Sequence, residues 1–129
     1  MPFVRCSTPA DAVVAVESVV KSGGEALFLF FGAENPQTGE SWCPDCVVAD
    51  PVVRRAIITA RKDLTVYECP VGERADWKNR PEHPFRTEAR FRLTRIPTLL
   101  HFKGSVEIGR LVEGDLAVPA TVAAFLGGT

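Results

Sequence analysis

The segment Ala26-Leu-Phe-Leu-Phe-Phe31 is an unbroken apolar run, with Gly23-Gly24 before it and a loop from Gly32 after it. It lacks the apolar–polar alternation of a half-exposed strand, so it predicts a strand buried on both faces, which needs cover above and below. Helices are the usual cover, and the flanking segments supply them. Thr8-Pro9-Ala10-Asp11 reads as a helix start: a hydroxyl N-cap, proline in the first turn and an acid near the positive helix end. Val13, Val16, Val19 and Val20 then recur at helical spacing until Gly23-Gly24 ends the pattern.

Residues 32–41, with Asn35-Pro36 and Gly39, read as a loop. Pro44 opens a second helix that carries Val47, Val48, Val52, Val53, Ile57 and Ile58 to about Arg61, with Pro51 interrupting its hydrogen-bond ladder. Leu64 to Cys69 is a second strand candidate. Pro70 to Pro84 is polar apart from Trp77, and Phe85 to Leu93 predicts a short helix. Pro97 to Phe102, a turn at Lys103-Gly104 and Val106 to Val112 predict a β-hairpin. Val118 to Leu126 predicts a closing helix, and Phe3-Val4 is a candidate short strand. Parallel crossovers followed by an antiparallel hairpin imply an α/β fold: a central mixed β-sheet of four to five strands flanked by helices. At this length the whole chain, residues 1–129, is expected to form one domain.

With 46% apolar and 24% charged residues the composition is that of a globular chain, and it argues against extensive disorder. A net charge of −1 gives no reason to expect nucleic acid or an anionic membrane as a partner. Glu17 interrupts the apolar stretch from Val13 to Val20, so no secretory pattern is expected at the N-terminus, and a reducing, cytoplasmic setting is the expectation. A monomer is expected.

Of the four cysteines, Cys43 and Cys46 form a C-x-x-C pair, while Cys6 and Cys69 stand apart. A closed zinc site needs a second close pair of ligands, and His83 and His101 do not provide one, so no metal is expected. Two cysteines three apart at a helix start lie on one turn, near enough to close a small disulfide ring. Cys43 falls where unpaired backbone N–H groups point outward, so its thiolate gains hydrogen bonds and the positive helix end. Its pKa should fall below that of a free thiol, which makes it the nucleophile; Cys46, one turn in, should be the buried resolving thiol. A chance pair of small buried residues is the alternative.

Trp42-Cys-x-x-Cys46, Pro51, Leu64-Thr-Val66, Ile96-Pro-Thr-Leu-Leu100 and Phe102-Lys103 together resemble thioredoxin across most of the chain. Further features narrow the resemblance to the fourteen-kilodalton thioredoxin-related family, the thioredoxin domain-containing protein 17 group. These are Pro44-Asp45 between the cysteines, the inserted loop before Trp42, Asp50 before Pro51, Val71-Gly-Glu73, Trp77-Lys78 and Phe85-Arg86. The resemblance implies a thioredoxin fold and a thiol-disulfide oxidoreductase that binds no cofactor, its electrons coming from NADPH through thioredoxin reductase. It also implies selected substrates, such as cystine or a dynein light chain. By the same analogy Pro97 carries a cis peptide bond beside Cys43, leaving the Ile96 backbone to pair with an extended substrate. Trp42, Pro44 and Asp45 support the dithiol, and Trp77 either flanks the site or packs beneath a long loop.

Two departures from thioredoxin stand out. Phe30 is read at the position of thioredoxin's buried aspartate, and Glu68 at that of a lysine, where a solvated strand-edge carboxylate is the favoured reading over a proton shuttle. Asp45, by charge, should oppose the lowering of the Cys43 pKa. Cys69 reads as inert core, Cys6 as a near-terminal thiol open to adventitious oxidation, and His101 as structural. Two alternatives stay open: a glutathione-dependent, glutaredoxin-like reductase, since proline after the first cysteine also occurs there, and a binding adaptor switched by the dithiol.

Overall fold

The computed structural model describes residues 2–127. The apolar run becomes β2 (Glu25–Phe31), the middle strand of a five-stranded sheet. Around it lie β1 (Phe3–Arg5), β3 (Thr65–Pro70), β4 (Thr98–Lys103) and β5 (Val106–Val112), in the spatial order β1-β3-β2-β4-β5. β3 runs parallel to both β1 and β2, whereas β4 is antiparallel to β2 and to β5, so the sheet is mixed. Helices α1 (Pro9–Ser22), α2 (Pro44–Ala60) and α5 (Pro119–Gly127) flank it, with short α3 (Arg74–Trp77), α4 (Pro84–Thr87) and a 3-10 turn at Glu113–Ala117. Among the described residues no helix is long and apolar enough to cross a membrane.

The helix start read at Thr8 is a reciprocal cap: Thr8 Oγ1 accepts from the Asp11 N–H at 3.2 Å, and the Asp11 carboxylate accepts from the Thr8 N–H at 3.1 Å. Gly23 ends the helix in the left-handed region at φ 71°, donating to the Val19 carbonyl. The buried face of α1 is Ala12, Ala15, Val16 and Val19, so Val13 and Val20 flank it instead of forming it.

Alternation along β2 divides the core in two. Leu29 and Phe31 share a cavity with Cys46 of α2. Phe28 and Phe30 point to the opposite face, where the Phe28 ring lies 4.9 Å from Tyr67, 5.5 Å from Phe91 and 5.7 Å from Phe102. Phe30 meets Phe85 edge-on at 4.9 Å and Phe91 at 5.0 Å.

The helix expected over Phe85 to Leu93 is confined to Pro84–Thr87. Phe85, Phe91 and Leu93 are all buried, and their spacings of six and two do not share a helical face. The chain therefore turns after Thr87, with Arg92 in the left-handed region, to bring all three inward. The single turn α3, in the polar segment where no element was expected, carries Trp77 to the core.

Candidate active site

Cys43 is the N-cap of α2 and Pro44 occupies its first turn. Proline there sacrifices no helical hydrogen bond, since that N–H has no intrahelical acceptor. The Cys43 Sγ accepts from the Cys46 N–H at 3.3 Å, and the Cys43 carbonyl accepts from Cys46 and Val47 at 3.0 and 3.1 Å. The Cys43 N–H in turn donates to Ser41 Oγ at 3.1 Å. Both thiols are free and buried, at 7% and 4% exposure.

The Cys46 thiol, hydrogen-bonding to Cys43, is the main cause that brings the Cys43 pKa down to about 7. Burial opposes it, the backbone N–H of Cys46 assists, and the Asp45 charge opposes again. The same Cys43 partner, followed by burial, raises the Cys46 pKa far above that of a free thiol. One helix turn thus holds an easily ionised sulfur and a reluctant one.

The two cysteines line different cavities. Cys43 lines one of about 270 Å³ with Trp42, Pro44, Asp45, Trp77 and Ile96, rimmed by Arg74, Lys78 and Arg95. Cys46 lines another of about 340 Å³ with Leu29, Phe31, Pro97, Asp50 and Arg54, to which the inserted loop adds Glu34, Glu40 and Ser41. That loop is ordered by its own bonds, Asn35 N–H to the Glu40 carbonyl and Gly39 N–H to the Asn35 carbonyl. The Ile96–Pro97 peptide bond is cis.

Trp42 is locked in place. Its indole N–H donates to the Gly72 carbonyl at 2.8 Å, and its ring covers Gly32 so closely that a Cβ there would lie 2.6 Å from it. Trp77 is buried and also lines the Cys43 cavity. Arg86 stacks over the Trp77 ring at 3.6 Å and donates to the carbonyls of Trp77 and Thr94, joining two walls of that cavity.

The structure departs from the sequence expectation at two positions of β2 and β3. The β2 residue beneath Cys46 is Leu29, not Phe30: Leu29 pairs with Glu68 and lines the Cys46 cavity, while Phe30 turns to the aromatic face. Nor is Glu68 a solvated edge carboxylate. It is 7% exposed, bonded directly to Arg54 and lying 3.9 Å from Arg5. Arg54 also holds Asp50 at 3.0 Å, and Arg5 holds Glu34 at 2.7 Å. The chain Asp50–Arg54–Glu68–Arg5–Glu34 therefore ties α2 to β3, β1 and the inserted loop. Sequence reasoning missed Arg5, Arg54 and Glu34 as a set; the available signal was one carboxylate within a buried strand, which demands cations. His101 bonds Glu25 at 2.6 Å, a structural contact. Among the described residues no group of His, Cys, Asp and Glu is arranged to hold a metal ion.

Asp45→Asn is expected to lower the Cys43 pKa further, because it removes a charge that opposes thiolate formation. Iodoacetamide alkylation should rise with pH through a midpoint near 7 in the natural chain and through a lower midpoint in the variant, with rates at pH 6 higher on the order of twofold. An unchanged midpoint would remove Asp45 from the electrostatics.

Residues 9–127 match the family described as Thioredoxin domain-containing protein 17-like, thioredoxin domain. The chain is 34% identical over 121 residues to the thioredoxin-like protein Clot of Arabidopsis thaliana, covering 93% of this chain and 90% of that one. It is 36% identical over 98 residues to thioredoxin domain-containing protein 17 of Homo sapiens, covering 76% and 75%. Among solved structures, thioredoxin O2 of Arabidopsis thaliana superposes with a TM-score of 0.68 at 22% identity, covering 97% and 94%, which shows the fold. The chain has a thioredoxin fold and a domain of the general thiol-disulfide oxidoreductase type, and it belongs to the thioredoxin domain-containing protein 17-like family.

Proposed function

We propose that this chain reduces small or selected protein disulfides through Cys43 and Cys46 and is recycled by thioredoxin reductase at the expense of NADPH. The observation that carries this reading is the Cys43 sulfur at the N-cap of α2, accepting from the Cys46 N–H at 3.3 Å beside a second buried cysteine, an arrangement that lowers its pKa to about 7. The lowered pKa raises the share of Cys43 that is thiolate at neutral pH, the form that attacks disulfides.

The Cys43 thiolate attacks one substrate sulfur; the substrate S–S bond breaks and the other sulfur leaves as a thiolate that takes up a proton. Cys46 then loses its proton and attacks Cys43 Sγ, which releases the second substrate thiol and leaves the Cys43–Cys46 disulfide. Once Cys43 is bound in a mixed disulfide it no longer carries the charge that suppresses ionisation of Cys46. Leu29 is apolar and Glu68 is bound to two arginines, so the Cys46 proton goes to water or to a carboxylate lining the same cavity, Asp50, Glu34 or Glu40. Ile96 and Trp77, beside Cys43, are the surfaces on which an extended substrate lies. A cytoplasmic, monomeric reductase acting on cystine or a dynein light chain fits this scheme.

A coupled assay with cystine tests it. NADPH oxidation is expected with thioredoxin reductase and not with glutathione plus glutathione reductase. The opposite pattern supports a glutaredoxin-like enzyme, and no turnover with either supports a redox-switched adaptor. Insulin should be reduced more slowly than by thioredoxin, because the inserted loop and the Trp77 segment wall the two cavities.

A further inference from the structure

Beyond Cys43 and Cys46, the fold brings the two remaining cysteines together. β1 and β3 pair in parallel as Phe3↔Val66, Val4↔Tyr67 and Arg5↔Glu68. The ladder continues past the end of β1, since the Cys6 N–H donates to the Glu68 carbonyl at 2.8 Å. One further step of this register sets Cys6 beside Cys69. Adjacent strands lie about 4.8 Å apart, inside the Cα separation of about 4.4–6.8 Å that disulfides span. Register partners on parallel strands project to the same face, as the contact of the Arg5 and Glu68 side chains at 3.9 Å shows one residue earlier. Cys6 and Cys69 therefore share the opposite face, and both are buried, at 3% and 0% exposure.

Their titration is split in the same sense as that of the first pair. A hydrogen bond with Cys69 holds the Cys6 thiol below its ordinary pKa, while burial, followed by the Cys6 contact, pushes Cys69 well above it. Ser7 and Pro70, the next residue along on each strand, line a cavity of about 530 Å³. Ser7 is exposed, but neither cysteine lines that cavity; a small oxidant reaches the buried pair by fraying of the edge strand β1.

We propose that Cys6 and Cys69 are a second dithiol, which closes to an intramolecular disulfide on exposure to hydrogen peroxide and staples the edge strand β1 to β3. The Cys6 thiolate attacks one peroxide oxygen, the O–O bond breaks, and hydroxide departs to become water on taking up a proton, leaving Cys6 as a sulfenic acid. The Cys69 sulfur then attacks the Cys6 sulfur; the S–O bond breaks, and the oxygen leaves as a second water carrying the Cys69 proton. Two thiols lose two electrons in all, and one peroxide is reduced to two waters.

The test uses the full chain with Cys43→Ser and Cys46→Ser, so that only the proposed pair remains. Reduced protein is treated with peroxide, unfolded in N-ethylmaleimide and digested with trypsin without reductant. Cleavage after Arg5, Lys21, Lys62 and Arg74 places the two cysteines on separate peptides. The expected result is one disulfide-linked species joining residues 6–21 to 63–74, loss of both maleimide adducts, and their return after dithiothreitol. The oxidised chain should also unfold at a higher temperature than the reduced one. The proposal is overturned if both cysteines are still alkylated after peroxide, if they stop at sulfinic acid, or if the link joins two chains. The same digest on the natural chain and on Cys6→Ser makes the result independent of how well the double variant folds. Cys6→Ser should leave Cys69 fully alkylated after peroxide and the Cys43 alkylation midpoint unchanged.

Discussion

Cys43→Ser is expected to lower disulfide-reducing turnover by roughly a thousandfold or more, since a lost nucleophile takes the whole reaction unit with it. A serine hydroxyl at the same N-cap keeps the helix capped, because it too accepts from backbone N–H groups, so the fold and unfolding midpoint should change little. Cys46→Ser discriminates the two roles. It leaves Cys43 able to attack once, and a mixed disulfide should accumulate instead of product; mass spectrometry of the unreduced protein reads that adduct directly. If Cys43→Ser retains more than a tenth of the natural rate in the coupled assay, the assignment of Cys43 as the attacking sulfur fails.

Phe28→Ala is expected to destabilise the fold by about 3–5 kcal/mol. Against a total stability of about 5–15 kcal/mol for a domain, that is a large fraction. Phe28 is fully buried in the middle strand, and its ring meets Tyr67, Phe91 and Phe102, which come from β3, the segment after α4, and β4. Its removal opens a cavity that three separately anchored rings cannot close together. Urea unfolding should show a much lower midpoint with little change in slope. The folded fraction should still alkylate at Cys43 with a midpoint near 7, because Phe28 faces away from α2. A loss below about 1 kcal/mol would mean that these rings repack freely.

What was legible in the sequence was local. The caps of α1, the buried middle strand and the dithiol at a helix start each depend on a few consecutive residues, and they stand where the sequence places them. What was not legible depends on how distant strands line up. Leu29 rather than Phe30 lies under Cys46 because a shift of one residue sends a side chain to the other face. Glu68 reads as solvated only while Arg5 and Arg54, from β1 and α2, are unknown to it. Cys6 reads as a loose terminal thiol until β1 is laid beside β3. Phe85 to Leu93 misled for another reason: its apolar content is that of an element, but its spacing is that of a folded-in loop.

Cys43 and Cys46 line different cavities, and this separates the traffic of the proposed reaction. A bulky partner seated against Trp42, Trp77 and Ile96 closes only the entrance over Cys43. On that reading the proton released from Cys46 leaves through the other cavity, which Pro97 and the carboxylates of the inserted loop line. Tight engagement of a large substrate and rapid departure of a very small product are thereby compatible within a single small domain.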